Sequence, residues 1–124
     1  MLFSGIYDIE PLIGTYIDEA LHLTVEDAEL LSPMRLPPGS GVPVIIAWGE
    51  HETCEFKRQS RDYAARIATA GFRVSAFEAA GANHFDIVFS LADYTSPLGR
   101  ATLTLIRGEG TTTPGGPRGT SRQT

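Results

Sequence analysis

The chain has 124 residues, a length typical of one domain, and its hydrophobic (42%) and charged (20%) fractions fit a soluble globular protein. The formal net charge of −5 argues against a nucleic-acid-binding surface, and no apolar run approaches the ~20 residues that cross a bilayer. The opening residues lack a signal-peptide pattern and the one cysteine excludes an internal disulfide, so we expect a cytoplasmic protein without a membrane partner.

The N-terminal third predicts a short strand followed by a long excursion. Residues 2–6 are apolar and predict the end of a buried strand. Apolar residues at helical spacing predict a short helix over residues 13–21. Thr24, with Asp27 three residues later, matches a capping box and predicts the start of a second helix. We expect the whole excursion, residues 7–42, to cover a site, as long insertions between strands often do.

The middle of the chain predicts a strand, a helix and a second strand. Residues 44–48 form a continuous apolar run, which is typical of a strand buried on both faces of a parallel sheet. An apolar stripe at three- and four-residue spacing predicts a helix that Thr53 caps and Gly71 ends. Residues 72–77 predict a half-solvated strand nearer the sheet edge. Parallel strands joined by a helix form a right-handed crossover, so both end at the same edge.

Two side chains suited to acid–base chemistry follow these strands. Glu52 lies in the turn after the first strand, and His84 lies in the loop after the second. Ligands bind at that edge in open α/β sheets, and a carboxylate beside an imidazole holds its tautomer and stabilises the imidazolium. The pair would supply two thirds of a hydrolase triad. Spacing alone explains Glu52 equally well as a carboxylate at a helix start.

Several neighbouring residues have alternative interpretations. Asp86 is a second candidate for orienting His84, although its position favours the first turn of the following helix. Arg58 either holds the acid turn or lies on a solvated helix face. We expect no metal and no cofactor, because no ligand spacing typical of zinc links His22 and His51 to His84.

The C-terminal part predicts two helices and a loose tail. A helix is expected directly after His84, and Ser96-Pro97 supplies an N-cap and a first-turn proline for a final helix. Residues 108–124 are rich in Gly, Thr, Pro, Ser and Arg with no apolar residue, and are therefore predicted to be disordered. The folded domain is expected to span residues 1–107.

Four stretches of the sequence, residues 4–12, 31–33, 48–60 and 84–88, resemble one enzyme family. The most specific are Glu-Phe-Lys-Arg-Gln-Ser at 55–60 and His-Phe-Asp-Ile-Val at 84–88. Together they resemble the C-terminal half of an α/β-hydrolase of the esterase/lipase type, and within it the kynurenine formamidase (arylformamidase) group. The resemblance covers residues 2–107. It implies an α/β fold, a C-terminal fragment of the α/β-hydrolase fold with about three parallel strands and flanking helices.

The resemblance also implies roles for the two candidate site residues. The family's acid follows the strand before last in a Gly-x-x-Asp/Glu turn, which is Gly49-Glu50-His51-Glu52 here, so the acid would be Glu52. The family's histidine follows the last strand and would be His84. The implied substrate is a small molecule, an N-formyl aryl amide such as N-formylkynurenine or a related aryl ester.

The sequence departs from the family in lacking a nucleophile. The Gly-x-Ser-x-Gly elbow and the His-Gly-Gly oxyanion loop do not occur in the 124 residues. Ser4, Ser60 and Ser90 do not lie on a comparable elbow. We therefore expect a C-terminal fragment: a truncated gene, a mis-assigned start or half of a split protein. Without a nucleophile the isolated chain is predicted to be inactive as a hydrolase.

A non-catalytic function is the alternative. The chain would then be an inactive remnant or an interaction partner. Its first strand would present an exposed edge, and exposed edges template association. The sequence therefore predicts self-association through residues 2–6.

Overall fold

The computed structural model describes residues 1–39 and 41–109 of the chain. Its centre is a sheet of three parallel strands in the order β1-β2-β3: β1 (Leu2–Phe3), β2 (Val44–Gly49) and β3 (Val74–Ala79). The register pairs Phe3 with Ala47 on one side of β2 and Gly49 with Ala79 on the other. The predicted α/β arrangement of about three parallel strands with flanking helices is confirmed. All three strands end at one edge of the sheet.

Helices cover the sheet on both faces. On one face α3 (Cys54–Thr69) contributes Ala64 and Ile67 to a cluster with Ile46 and Trp48. On the other, Leu98 of α4 (Pro97–Arg107) packs in a cluster with Ala47. Successive strand residues point to opposite faces, so β2 serves both clusters. Its residues Ile45, Ile46 and Ala47 are at most 1% exposed, which confirms the prediction of a doubly buried strand.

The excursion between β1 and β2 is less helical than the sequence predicts. It contains a 3-10 turn (Glu10–Leu12), α1 (Asp18–Leu21) and α2 (Val25–Leu31). The helix predicted over residues 13–21 is thus wrong in its first half. Gly14 has a left-handed φ of +78°, and its N–H donates to the Asp18 carboxylate at 2.8 Å, so the helix starts only at Asp18.

The helix α2 begins at the predicted capping box. The Thr24 hydroxyl accepts from the Asp27 N–H at 3.1 Å, and the Asp27 carboxylate accepts from the Thr24 N–H at 2.8 Å. Both orphan donors of the helix start are thereby satisfied. The capping box therefore determines where α2 begins, although the helix buries only Ala28.

Buried polar side chains fix the excursion against α3. The Gln59 side-chain oxygen, on a residue 3% exposed, accepts from the N–H groups of Tyr7 (2.7 Å) and Asp8 (2.9 Å). The Ser32 hydroxyl accepts from the Ile9 N–H at 2.9 Å. These bonds satisfy backbone donors that would otherwise be buried without partners. They hold the start of the excursion beside the carboxyl end of β2.

The C-terminal part matches the prediction at α4 only. The Ser96 hydroxyl accepts from the Gly99 N–H at 2.9 Å and Pro97 is the first helical residue, as predicted. The helix expected after His84 is instead a 3-10 helix (Ile87–Leu91). Gly108 caps α4 at a φ of +67°. The disorder predicted for residues 108–124 lies, from residue 110 onward, outside the described residues.

Residues 1–39 and 41–109 contain no helix long and apolar enough to cross a membrane.

Candidate active site

Three polar side chains meet at the carboxyl edge of the sheet, one from the end of each strand. Ser4 follows β1 directly, Glu52 lies in the turn after β2, and His84 lies in the loop after β3. The structure brings the two predicted site residues together, with His84 Nδ1 3.9 Å from Glu52 Oε1. The right-handed crossover through α3 accounts for this meeting, because it returns the chain to the same edge.

The acid turn and the histidine loop are joined by backbone hydrogen bonds. The Glu50 N–H donates to the Ala79 carbonyl at 3.0 Å, and the His51 N–H donates to the Ala82 carbonyl at 2.9 Å. At Gly49 a Cβ would lie 2.5 Å from the Ala82 carbonyl oxygen, so only glycine permits this approach. The two segments are therefore held at fixed separation by the main chain.

The Glu52 side chain is fully buried at the end of β2, with 0% of it exposed. Its Oε1 accepts from the Gly49 N–H at 3.1 Å and from the Ser4 hydroxyl. Its Oε2 has no hydrogen-bond partner among the described residues. Burying a carboxylate is costly unless its oxygens are paired, so this side chain occupies a place that packing alone would not favour.

The His84 ring is the accessible member of the pair, since 42% of its side chain is exposed. One side packs against Phe56 of α3, with ring centroids 4.6 Å apart, and Phe85 meets it edge-on at 5.4 Å. At 3.9 Å the Nδ1 atom is beyond hydrogen-bond distance of Glu52 but within ion-pair distance. Acid–base pairs in enzymes without substrate are often this long. The ring is therefore packed on one side and open to solvent on the other.

The alternative partners considered for the pair are engaged elsewhere. The Asp86 carboxylate accepts from the Asn83 N–H (2.6 Å) and side-chain amide (2.7 Å), so it shapes the histidine loop. Arg58 pairs with Glu55 and Asp62 on the exposed face of α3, as a solvated helix residue would. No cluster of three or more His, Cys, Asp or Glu side chains suited to a metal occurs within residues 1–39 and 41–109.

Ser4 is the site residue whose part sequence reasoning missed. The sequence offers Ser4 only as a nucleophile candidate without an elbow, whereas its hydroxyl donates to the Glu52 carboxylate. It is 7% exposed and has a left-handed φ of 46°. The signal that could have found it is topological: the ends of neighbouring parallel strands converge, and Ser4 directly follows the strand beside β2.

An apolar cavity of about 290 Å³ lies between the excursion and the start of α3, and neither Glu52 nor His84 lines it. The excursion supplies most of its wall, including Leu12 and Tyr16, and α3 supplies Phe56, whose ring also contacts His84. The expectation that the excursion covers a site stays a prediction.

The sequence is similar to two curated relatives, while no protein-family model matches it. It is 32% identical over 110 residues to the kynurenine formamidase of Danio rerio, which covers 85% of this chain and 38% of the relative. It is 35% identical over 98 residues to the kynurenine formamidase of Salmo salar, covering 74% and 33%. The chain therefore spans little more than a third of the length of these relatives. The similarity supports a relationship to the formamidases.

Proposed function

We propose that this chain supplies the acid–base half of a formamidase-like serine hydrolase of the α/β-hydrolase type. The proposal rests on one observation: the buried Glu52 carboxylate lies 3.9 Å from the accessible His84 imidazole, at the edge where three parallel strands end. The similarity to two kynurenine formamidases adds the reaction class. Glu52 is the orienting acid and His84 the general base.

The proposed reaction is acyl transfer from an N-formyl aryl amide, such as N-formylkynurenine, or from a related aryl ester. His84 takes the proton from a serine hydroxyl as the oxygen attacks the formyl carbon, then gives it to the departing amine nitrogen. Water hydrolyses the formyl-serine by the same proton path and releases formate. Glu52 stabilises the imidazolium throughout. The apolar cavity beside Phe56 accepts the aryl group.

The serine in this scheme does not come from the 124 residues. Gly-x-Ser-x-Gly is absent from them, and the Ser4 hydroxyl is bound to the carboxylate. A serine nucleophile has to face the imidazole that deprotonates it. We therefore expect the chain alone to show no turnover of N-formylkynurenine or an aryl ester. Turnover that His84→Gln abolishes would contradict this expectation.

The direct test is a chimera with an enzyme that brings its own nucleophile. Residues 2–107 replace the matching stretch of the Danio rerio kynurenine formamidase, and N-formylkynurenine hydrolysis is measured. We expect turnover that falls by roughly 10³-fold or more with Glu52→Gln or His84→Gln, since a triad acts as a unit. Ser60→Ala, which removes a buried hydroxyl without a partner, is the matched control and retains activity. A folded, active chimera indifferent to His84→Gln would refute the proposal.

An interaction function is the second candidate, favoured by the β1 edge. Within the described part of the chain β1 pairs with β2 alone, so its outer edge is open. An apolar pocket of about 290 Å³ lies beside it, lined by residues that include Leu2, Phe3 and Tyr63. A polypeptide adding a strand beside β1 would cover both features.

A further inference from the structure

We infer that Ser4 is a positioning residue for the Glu52–His84 pair: its hydroxyl fixes the carboxylate that orients the imidazole. The inference rests on the proposed function, because it assigns Ser4 a part in the same acid–base unit. This role is distinct from that of the nucleophile, which would face the opposite side of the His84 ring.

The backbone at Ser4 is arranged to present this hydroxyl. The Ser4 N–H donates to the Ala47 carbonyl at 2.9 Å, which extends the β1–β2 ladder by one residue. The chain then turns at a φ of 46°, a left-handed conformation that glycine adopts more readily than serine. A glycine follows directly as Gly5, yet the left-handed position holds a serine that is 7% exposed. The side chain at this position therefore has a use that offsets its conformational cost.

That use is visible in the contacts of Glu52. A glutamate side chain has three rotatable bonds, and this one is buried with a single carboxylate oxygen bonded. The Ser4 hydroxyl and the Gly49 N–H donate to the same atom, Oε1, which is also the atom 3.9 Å from His84 Nδ1. Two donors from different strand ends fix its position. With Gly49 alone the carboxylate could rotate about that one bond.

The surroundings add one more titratable group facing the pair. Burial raises the pKa of Tyr7 to about 12, with smaller contributions from Tyr63 and from the charge of Glu52. Tyr7 is thus neutral across the ordinary pH range. Asp86 is held by Asn83, and Arg58 by Glu55 and Asp62. Ser4 and Gly49 are therefore the donors that set the Glu52 carboxylate among the described residues.

The test reads the tautomer of His84 by ¹⁵N NMR in the full chain, at an alkaline pH at which the spectrum itself shows the neutral ring. A carboxylate held near Nδ1 favours the Nδ1–H tautomer. We expect Ser4→Ala and Ser4→Gly each to lower the Nδ1–H fraction by roughly twofold. Glu52→Leu lowers it at least as far, because no acceptor for Nδ1–H remains at that position. Ser60→Ala is the matched buried-serine control and keeps the wild-type ratio.

The two Ser4 variants separate positioning from stability. Alanine retains the strain of a left-handed φ, whereas glycine relieves it, so Ser4→Gly is expected to be the more stable of the two variants while both lack the hydroxyl. If Ser4→Ala does not fold, Ser4→Gly carries the test. Wild-type tautomer ratios in the folded Ser4 variants, with Glu52→Leu shifted, would overturn the inference and leave the proposed function standing. An unshifted Glu52→Leu would overturn both.

Discussion

At the scale of single residues, Tyr7 is a buried group whose hydroxyl has no hydrogen bond of good geometry within the described residues, although the nearby Gly5 backbone slightly lowers its pKa. It is 4% exposed and its ring stacks on Tyr63, with centroids 4.3 Å apart. An unsatisfied buried hydroxyl destabilises a fold by ~1–3 kcal/mol. The Tyr7 hydroxyl thus offsets part of what its ring contributes to the core.

Tyr7→Phe is therefore expected to raise the free energy of unfolding at pH 7 by about 1 kcal/mol, and to change its dependence on alkaline pH. Burial raises the pKa of Tyr7 from 10.0 to about 12 in the folded chain. The stability linked to this shift is fully present below pH 10.0 and is lost as pH rises through about 12, because the unfolded state ionises first. Urea unfolding at stepped alkaline pH measures the loss.

Tyr94→Phe, at a residue 71% exposed, is the control for this experiment and should retain the alkaline loss. A Tyr7→Phe variant that loses stability above pH 10 as steeply as the wild type would contradict the assignment.

Gly49 is the residue on which the geometry of the acid turn depends. A Cβ at this position would meet the Ala82 carbonyl oxygen at 2.5 Å, so Gly49→Ala has to push the acid turn and the histidine loop apart. We expect a loss of ~1–3 kcal/mol in the free energy of unfolding, as in other overpacked sites. Chemical denaturation at pH 7 measures it. Gly39→Ala, where a Cβ meets nothing within 4 Å, is the control and should be neutral.

At the scale of elements, the sequence predicts well where local signals determine the structure. The buried run of β2, the capping box at Thr24 and the Ser96-Pro97 start of α4 are each encoded within a few residues. The excursion and the segment after His84 are predicted less well. There apolar spacing suggests helix, but Gly14 and the Asn83–Asp86 hydrogen bonds impose turns instead.

At the candidate site, too, some features can be predicted from the sequence and others cannot. Glu52 and His84 can be placed from the sequence because a right-handed crossover dictates which strand ends meet. The contact between Ser4 and Glu52 joins residues 48 positions apart. No local pattern encodes it, because the serine's role depends on β1 pairing beside β2, with Phe3 opposite Ala47.

The helix α3 carries an element-scale prediction through Glu55. Hydrogen bonds from Arg58, and secondarily from Gln59, lower the pKa of Glu55 from 4.5 to about 2. A depressed folded pKa gives stability that is present above 4.5 and lost as pH falls through about 2. Because the Glu55 and Arg58 side chains are 47% and 49% exposed, the loss should be small. Glu55→Gln should flatten the acid unfolding curve in this window.

Circular dichroism between pH 5 and pH 2 provides the measurement, and the pH range brackets the two values of Glu55. Glu26→Gln, at an acidic residue in the first turn of α2, is the control. If Glu26→Gln changes the acid unfolding curve as much as Glu55→Gln does, the loss of stability comes from surface charges in general and not from Glu55.

At the scale of the whole molecule, the open edge of β1 predicts self-association. Leu2 is 36% exposed and Ile6 39%, and both line the apolar pocket beside the strand. Unpaired strand edges with apolar neighbours template pairing with another chain, and a charge on the edge prevents it. We expect the molar mass from light scattering to rise with concentration, and Leu2→Lys to return it to the monomer value.

Leu30→Lys, at a residue of α2 that is 63% exposed, is the matched control and should leave association unchanged. A wild-type chain that stays monomeric at all concentrations would show that there is no self-association. Association that Leu30→Lys alone abolishes would show that the interface lies on α2 and not at β1.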